Sequence, residues 1–228
     1  MNELNRTGTL FVVSTPIGNL SDITRRAIEI LEQADWVAAE DTRHTGQLLT
    51  HFGIRNRLES YHDHNKERKT PVLIQRLLNG ESVAVVSDAG TPGISDPAFY
   101  LVRAAIQAQV VVSPIPGPTA AIAALVASGM PTDRFVFEGF LPVKKGRKTR
   151  LEFLKEESRT IVLYESPHRI LRTLNDLHTT LGDRSCAVCR ELTKKFEEII
   201  RGTFSECAAV FSKKTIKGEF VLIIQGKN

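Results

Sequence analysis

The chain has 228 residues, 42% hydrophobic and 25% charged, which suits one large globular domain or two smaller ones. No apolar run approaches the ~20 residues that a membrane helix needs, and the polar stretch 1–8 lacks a signal-peptide core, so a cytoplasmic protein is expected. The net charge of +4 hides a split: residues 1–143 sum to −3 and residues 144–228 to +7, which points to separate domains and to an anionic partner held mainly by the second.

An apolar strand is expected over residues 9–14, then the turn Thr15-Pro16-Ile17-Gly18-Asn19-Leu20, then a helix through Ile23, Ala27, Ile30 and Leu31 with Ser21 as its cap. A second strand over 36–39 ends in Glu40-Asp41-Thr42-Arg43-His44, and a helix through Leu48 and Leu49 follows, with Gly53 as its stop. A third strand over 58–61 ends in His62-Asp63-His64-Asn65. The segment 66–78 is helical, either starting at Pro71 with Thr70 as cap or kinked there.

The fourth strand, from Val83, runs into Ser87-Asp88-Ala89-Gly90-Thr91-Pro92-Gly93-Ile94-Ser95-Asp96-Pro97, and a helix follows over 97–107. Alone this loop is either an ordinary strand-to-helix turn or a ligand loop. A fifth strand over 110–113 leads through Pro114-Ile115-Pro116-Gly117-Pro118 into a helix of small residues over 119–128. Five strand-then-helix units make a parallel sheet covered on both faces, whose ligands bind at the carboxyl ends of the strands. The loops after the first, fourth and fifth strands contain little that could serve a packed core, which favours a ligand site. Neither a dinucleotide nor a P-loop fingerprint is present. The Asp88-Ala89-Gly90 turn offers a carboxylate and close backbone approach, suited to hydroxyl and amine groups.

Met130-Pro131 is the expected boundary, giving domains over 9–130 and 131–228. A strand over 135–140 leads into Lys144, Lys145, Arg147, Lys148 and Arg150, read as a flexible basic loop over 144–150. Such a loop either binds a phosphate backbone or is a solvated surface. Strands over 161–164, 186–190, 197–200 and 220–224, with helices between, form a smaller sheet of mixed direction. Cys186, Cys189 and Cys207 are an odd set in a chain without a secretion signal. The Cys186–Cys189 spacing sits within a strand, so buried thiols are expected and no metal site.

These loops carry a resemblance. The turns at Thr15, Glu40 and Tyr61-His62-Asp63-His64-Asn65, the Ser87-Asp88-Ala89-Gly90-Thr91-Pro92 loop, Pro116-Gly117-Pro118, Gly139-Phe140-Leu141-Pro142, Tyr164-Glu165-Ser166-Pro167-His168-Arg169 and Glu191-Leu192-Thr193-Lys194 occur in order across residues 9–226. The chain thereby resembles the bacterial small-subunit ribosomal RNA ribose methyltransferases of the tetrapyrrole methylase superfamily. Thr119 and Ala98 depart from the usual Ser and Gly of that family without loss of chemistry.

The resemblance implies a class III methyltransferase: a parallel five-stranded N-terminal domain, a smaller mixed-sheet C-terminal domain, S-adenosylmethionine in the cleft between them, and a homodimer. It implies 2′-O-methylation of a decoding-centre cytidine in small-subunit ribosomal RNA, free or in the assembled subunit. The implied cofactor residues are Pro16, Ile17, Gly18, Asp88, Ala89, Gly90, Ile94, Ser95, Pro116, Gly117, Pro118, Thr119, Tyr164, Ser166, Leu192 and Thr193. Asp41 or Glu165 is expected as the base, with Arg43, Arg169 and Lys194 holding charge. The competing readings are a tetrapyrrole C-methyltransferase, a non-catalytic RNA-binding assembly module and a diphthine-synthase-like protein methyltransferase.

Overall fold

In the computed structural model, which describes residues 7–227, the first unit is a parallel sheet with helices on both faces. β1 (Thr9–Val13) lies between β4 (Val83–Val86) and β5 (Val111–Ile115), while β2 (Trp36–Ala39) lies between β4 and β3 (Leu58–Ser60). The order β3-β2-β4-β1-β5 explains the composition of the strands. β4, at the centre, is buried at all four positions, as a strand covered on both sides must be. The edge strand β5 contains Pro114, whose missing N–H is tolerated where no further strand pairs.

One face of this sheet packs Leu10, Ala38, Val83 and Val85 against Leu73 and Leu77 of α3 (Lys66–Leu78) and Leu101 and Ala105 of α4 (Ala98–Gln107). The other packs Val13, Val37, Ala84 and Val86 against Leu31 of α1 (Arg25–Gln33) and Leu49 of α2 (Thr42–His51). Each fully buried Val or Leu side chain contributes about 1.5–3 kcal/mol.

Two starts differ from expectation. Thr24, not Ser21, caps α1 by accepting the Ala27 N–H at 3.1 Å, because residues Leu20–Asp22 form a separate 3-10 turn capped by Asn19. α3 starts before Pro71, and the Thr70 hydroxyl is instead 3.0 Å from that of buried Tyr61.

The second unit begins at Ala120, not after Met130. The physical reason is α5 (Ala120–Ser128): its Ala121, Ala124 and Leu125 pack on Val162, Ala187, Val221 and Ile223 of the second sheet. That sheet has the order β6 (Phe135–Phe140), β7 (Thr160–Glu165), β10 (Phe220–Ile224), β8 (Ser185–Arg190), β9 (Glu198–Thr203). Only the β6–β7 pair is parallel, so the sheet is mixed as expected. Its other face is covered by α6 (Arg147–Lys155), α7 (Ile170–Leu181) and α8 (Phe204–Phe211).

All three cysteines are buried free thiols. Cys186 and Cys189 belong to the cores on opposite faces of β8, so their spacing does not make a chelating pair. Burial pushes the Cys189 thiol up to about 11. Among the described residues no helix is long and apolar enough to cross a membrane. Of the polar stretch 1–8, residues 1–6 lie outside the described residues.

Candidate active site

In the first unit the expected cofactor loops form one structure at the carboxyl ends of the strands. Thr15 and Gly90 exchange backbone hydrogen bonds at 2.9 and 3.1 Å. The Ser14 and Thr91 hydroxyls are 2.9 Å apart, and Thr91 donates to the Pro118 carbonyl at 3.2 Å. The loops after β1, β4 and β5 are therefore stapled together by their own backbone and hydroxyl groups. Glycine is required at two of these junctions. Gly90 has φ +82°, with Ile17 Cγ2 only 3.4 Å from where a Cβ would lie, and a Cβ on Gly117 would come within 2.9 Å of the Ser14 Cβ.

Next to them lies a group of carboxylates that sequence reasoning did not assemble. Asp88 Oδ1 accepts the Asp41 N–H at 2.9 Å. Burial, and then the Asp88 charge, raise the Glu40 carboxyl above its ordinary value, with smaller contributions from Asp96 and Asp63. Asp96 is itself raised by burial, although it accepts the Gly93 and Ala98 N–H groups at 2.8 Å. These residues follow β2, β3 and β4, and their convergence depends on a strand order that the linear sequence does not display.

Both expected bases are committed elsewhere. Asp41 caps α2, taking the Arg43 N–H at 2.8 Å, and pairs with the Arg43 guanidinium. That partner holds its carboxyl far below the usual range. Glu165 is buried at the end of β7. It accepts the Ser166 N–H at 2.7 Å and the Thr173 hydroxyl at 2.6 Å, and it pairs with Arg169 at 2.7 Å. Arg169 also donates to the Leu141 carbonyl at 3.0 Å. Asp41 and Glu165 thus serve as anchors rather than free proton acceptors.

The segment 144–150 also differs from expectation. It is not a flexible loop, because α6 starts at Arg147. Arg147 is only 4% exposed and donates to Asp176, the Thr173 hydroxyl and the Pro142 carbonyl, which removes it from any surface that could meet RNA. Arg150 is gripped by Glu138. Lys144, Lys145 and Lys148 are exposed.

Around Thr193 the second unit shows the marks of a ligand site. Glu191 and Thr193 hold φ +49° and +67°, conformations that L residues adopt only under constraint. Lys194 bridges Glu191 and Glu219 at 2.9 Å each, which locks the turn. The Thr193 hydroxyl is buried and lacks a hydrogen-bond partner among the described residues, a deficit that a bound polar group would remove. Ser95, in the β4 loop of the first unit, has φ +70°. Leu192 packs on the second-sheet core, and the Tyr164 ring stands edge-on to Phe137 and Phe140 at 5.0 and 5.7 Å. The residues present therefore fit a ligand with hydroxyl, amine and apolar parts. Among the described residues no group of three His, Cys, Asp or Glu side chains is arranged to hold a metal ion.

Comparison with known proteins gives these loops a context. The family model for tetrapyrrole (corrin/porphyrin) methylases matches residues 9–208. The ribosomal RNA small subunit methyltransferase I of Synechocystis sp. is 56% identical over 221 residues, covering 96% of this chain and 79% of the relative. Its counterpart in Halalkalibacterium halodurans is 53% identical over 220 residues, covering 96% of this chain and 76% of that protein. Among solved structures, the uroporphyrin-III C-methyltransferase of Thermus thermophilus, complexed with S-adenosylhomocysteine, superposes with a TM-score of 0.66. It covers 96% of this chain and 97% of that one at 19% identity, which carries the fold alone.

Proposed function

Because the chain belongs to the tetrapyrrole methylase family, and within it to the ribosomal RNA small subunit methyltransferase I group, we propose that it methylates the ribose 2′-oxygen of a decoding-centre cytidine in small-subunit ribosomal RNA, using S-adenosylmethionine. The observation that carries this reading is 56% identity over 96% of the chain to a protein of that name. The tetrapyrrole-acting neighbour, at 19% identity, gives no comparable support for its own substrate. The protein works in the cytoplasm as a homodimer, on ribosomal RNA or the assembled small subunit.

S-adenosylmethionine supplies a sulfonium-bound methyl group, an electrophile that needs an aligned oxygen. The backbone of Pro16, Ile17, Gly18, Ala89 and Gly90, with Asp88, Ile94 and Ser95, holds the cofactor from the first unit, together with 116–119. Tyr164, Ser166, Leu192 and Thr193 are the cofactor residues proposed on the second unit. The cross-linking of the β1, β4 and β5 loops within the first unit favours the alignment on which an in-line transfer depends.

A ribose hydroxyl attacks only as its proton leaves, and a positioned base adds about 10²–10⁴-fold. Glu40 is the proposed acceptor: it is half-buried at the end of β2, which lies beside β4 and its Asp88 loop, and burial followed by the Asp88 charge raises its carboxyl above its ordinary value. Asp41 with Arg43 fixes the start of α2 beside Glu40, while in the second unit Glu165 with Arg169 and Lys194 with Glu191 and Glu219 hold the ends of β7 and β8. Incubating purified small subunits that lack the modification with labelled S-adenosylmethionine, followed by nucleoside analysis, tests the reading. Label in 2′-O-methylcytidine is expected. Label in another nucleoside, or RNA binding without methylation, would overturn it.

A further inference from the structure

On the second unit, β6 and α6 border a groove of about 550 Å³ lined by Phe140, Phe153, Arg150 and Glu138. Both rings are displayed to water, Phe153 at 61% exposure and Phe140 at 52%. Arg150 does not move freely. Glu138, with its side chain almost wholly buried, binds its guanidinium at 2.6 and 2.5 Å and holds it 4.8 Å from the centre of the Phe153 ring. Phe140 is braced edge-on by Tyr164 at 5.7 Å. The groove thus presents two apolar faces and a planar cation, already oriented. Exposed Lys144, Lys145 and Lys148 lie on the segment leading into and through the start of α6.

Aromatic faces and fixed guanidinium planes stack unpaired bases, while lysines meet the phosphates. We infer that this groove is a stacking platform for an unpaired nucleobase of the RNA substrate, with Phe153 and Arg150 as its principal surface. The inference rests on the ribosomal RNA reading above. Charge selects this occupant over a second copy of the chain, since a two-fold contact would set the three lysines against themselves.

The test measures the affinity of the intact protein for a short single-stranded RNA and for the same strand made abasic, across a salt series. Wild type should prefer the strand with bases. Phe153→Ala should weaken that binding about 5- to 150-fold and abolish the preference, with the salt slope unchanged. Phe153→Tyr should restore it. Lys144→Ala and Lys148→Ala should weaken both strands equally and flatten the slope. Equal binding of both strands by wild type, or wild-type behaviour of Phe153→Ala, would overturn the platform. So would a change in sedimentation of Phe153→Ala at unchanged RNA affinity, which would make the groove a contact between copies. Methylation of small subunits by wild type is assayed separately: its absence removes the ribosomal RNA reading, whereas base preference reports on the platform alone.

Discussion

Asp88 Oδ1 accepts the backbone N–H of Asp41 at 2.9 Å, which ties the loop after β4 to the start of α2. One carboxylate thereby fixes the neighbouring strand end, ties it to the β4 loop, and raises the proton affinity of Glu40 by its charge. Asp88→Ala leaves the Asp41 N–H without this acceptor, at a cost of about 1–3 kcal/mol. It should lower the melting temperature and the affinity for S-adenosylmethionine together. Asp88→Asn keeps an acceptor oxygen, so most of the stability should return while the Glu40 carboxyl relaxes toward its ordinary value. Thermal melts and calorimetric titration of the two variants separate these effects.

Glu40 should set the acidic limb of the pH–rate profile. Its folded-state pKa is raised, so turnover falls as pH drops through that raised value, and Glu40→Gln should lower turnover by about 10²–10⁴-fold and erase the limb. The stability sign is opposite to that of a salt-bridged carboxylate. A raised carboxyl costs the folded state free energy above its folded pKa, because ionisation is penalised there, and costs nothing at pH values below both folded and unfolded values. Glu40→Gln should therefore raise the melting temperature at neutral pH, with the gain vanishing toward the acid end. A variant that melts like wild type at every pH, or keeps full turnover, would remove Glu40 from this role.

The basic segment divides into structural and surface cations, and substitutions should divide the same way. Arg147→Ala deletes charge-assisted bonds to Asp176, the Thr173 hydroxyl and the Pro142 carbonyl, bonds worth about 1.5–3 kcal/mol each when one partner is charged. Since Thr173 in turn donates to Glu165, the loss should spread to the β7 end. The expected outcome is a large fall in denaturation midpoint with an unchanged salt slope of RNA binding. Lys144→Ala, Lys145→Ala and Lys148→Ala combined should show the converse: an unchanged midpoint, and a slope smaller by about 0.7 for each phosphate of a single strand that is no longer neutralised.

Why Arg147 misleads in sequence is plain from its surroundings. Neighbouring cations look alike until the fold brings Asp176 of α7 and Glu138 of β6 to two of them. The strands were legible because a parallel sheet needs unbroken apolar runs, and β2 and β6 fall on the residues expected. The boundary was not, since the small apolar residues of α5 could pack against either sheet and only their packing on Val162 and Ile223 assigns them. Glu40 shows the same limit in the site. Its chemistry is visible in the chain, but its nearness to Asp88 follows from β2 lying beside β4.

Thr193 holds φ +67° with a buried hydroxyl that has no partner among the described residues, so the fold bears both a backbone and a solvation cost there. Thr193→Gly removes both. Relief of the left-handed conformation is worth about 1–2 kcal/mol, and loss of the unsatisfied hydroxyl adds to it, against about 0.5–1 kcal/mol for the greater freedom of glycine when unfolded. The Thr193 N–H to Glu197 bond at 2.6 Å is kept, so the turn should survive. Thr193→Gly should melt higher than wild type without S-adenosylmethionine yet bind it about 5- to 10-fold more weakly, the loss of one hydrogen bond worth ~1 kcal/mol. Thr193→Ser should keep the affinity. Melting curves with and without S-adenosylmethionine read both effects, and a Thr193→Gly protein that binds the cofactor as tightly as wild type would assign the strain to the fold rather than to the ligand.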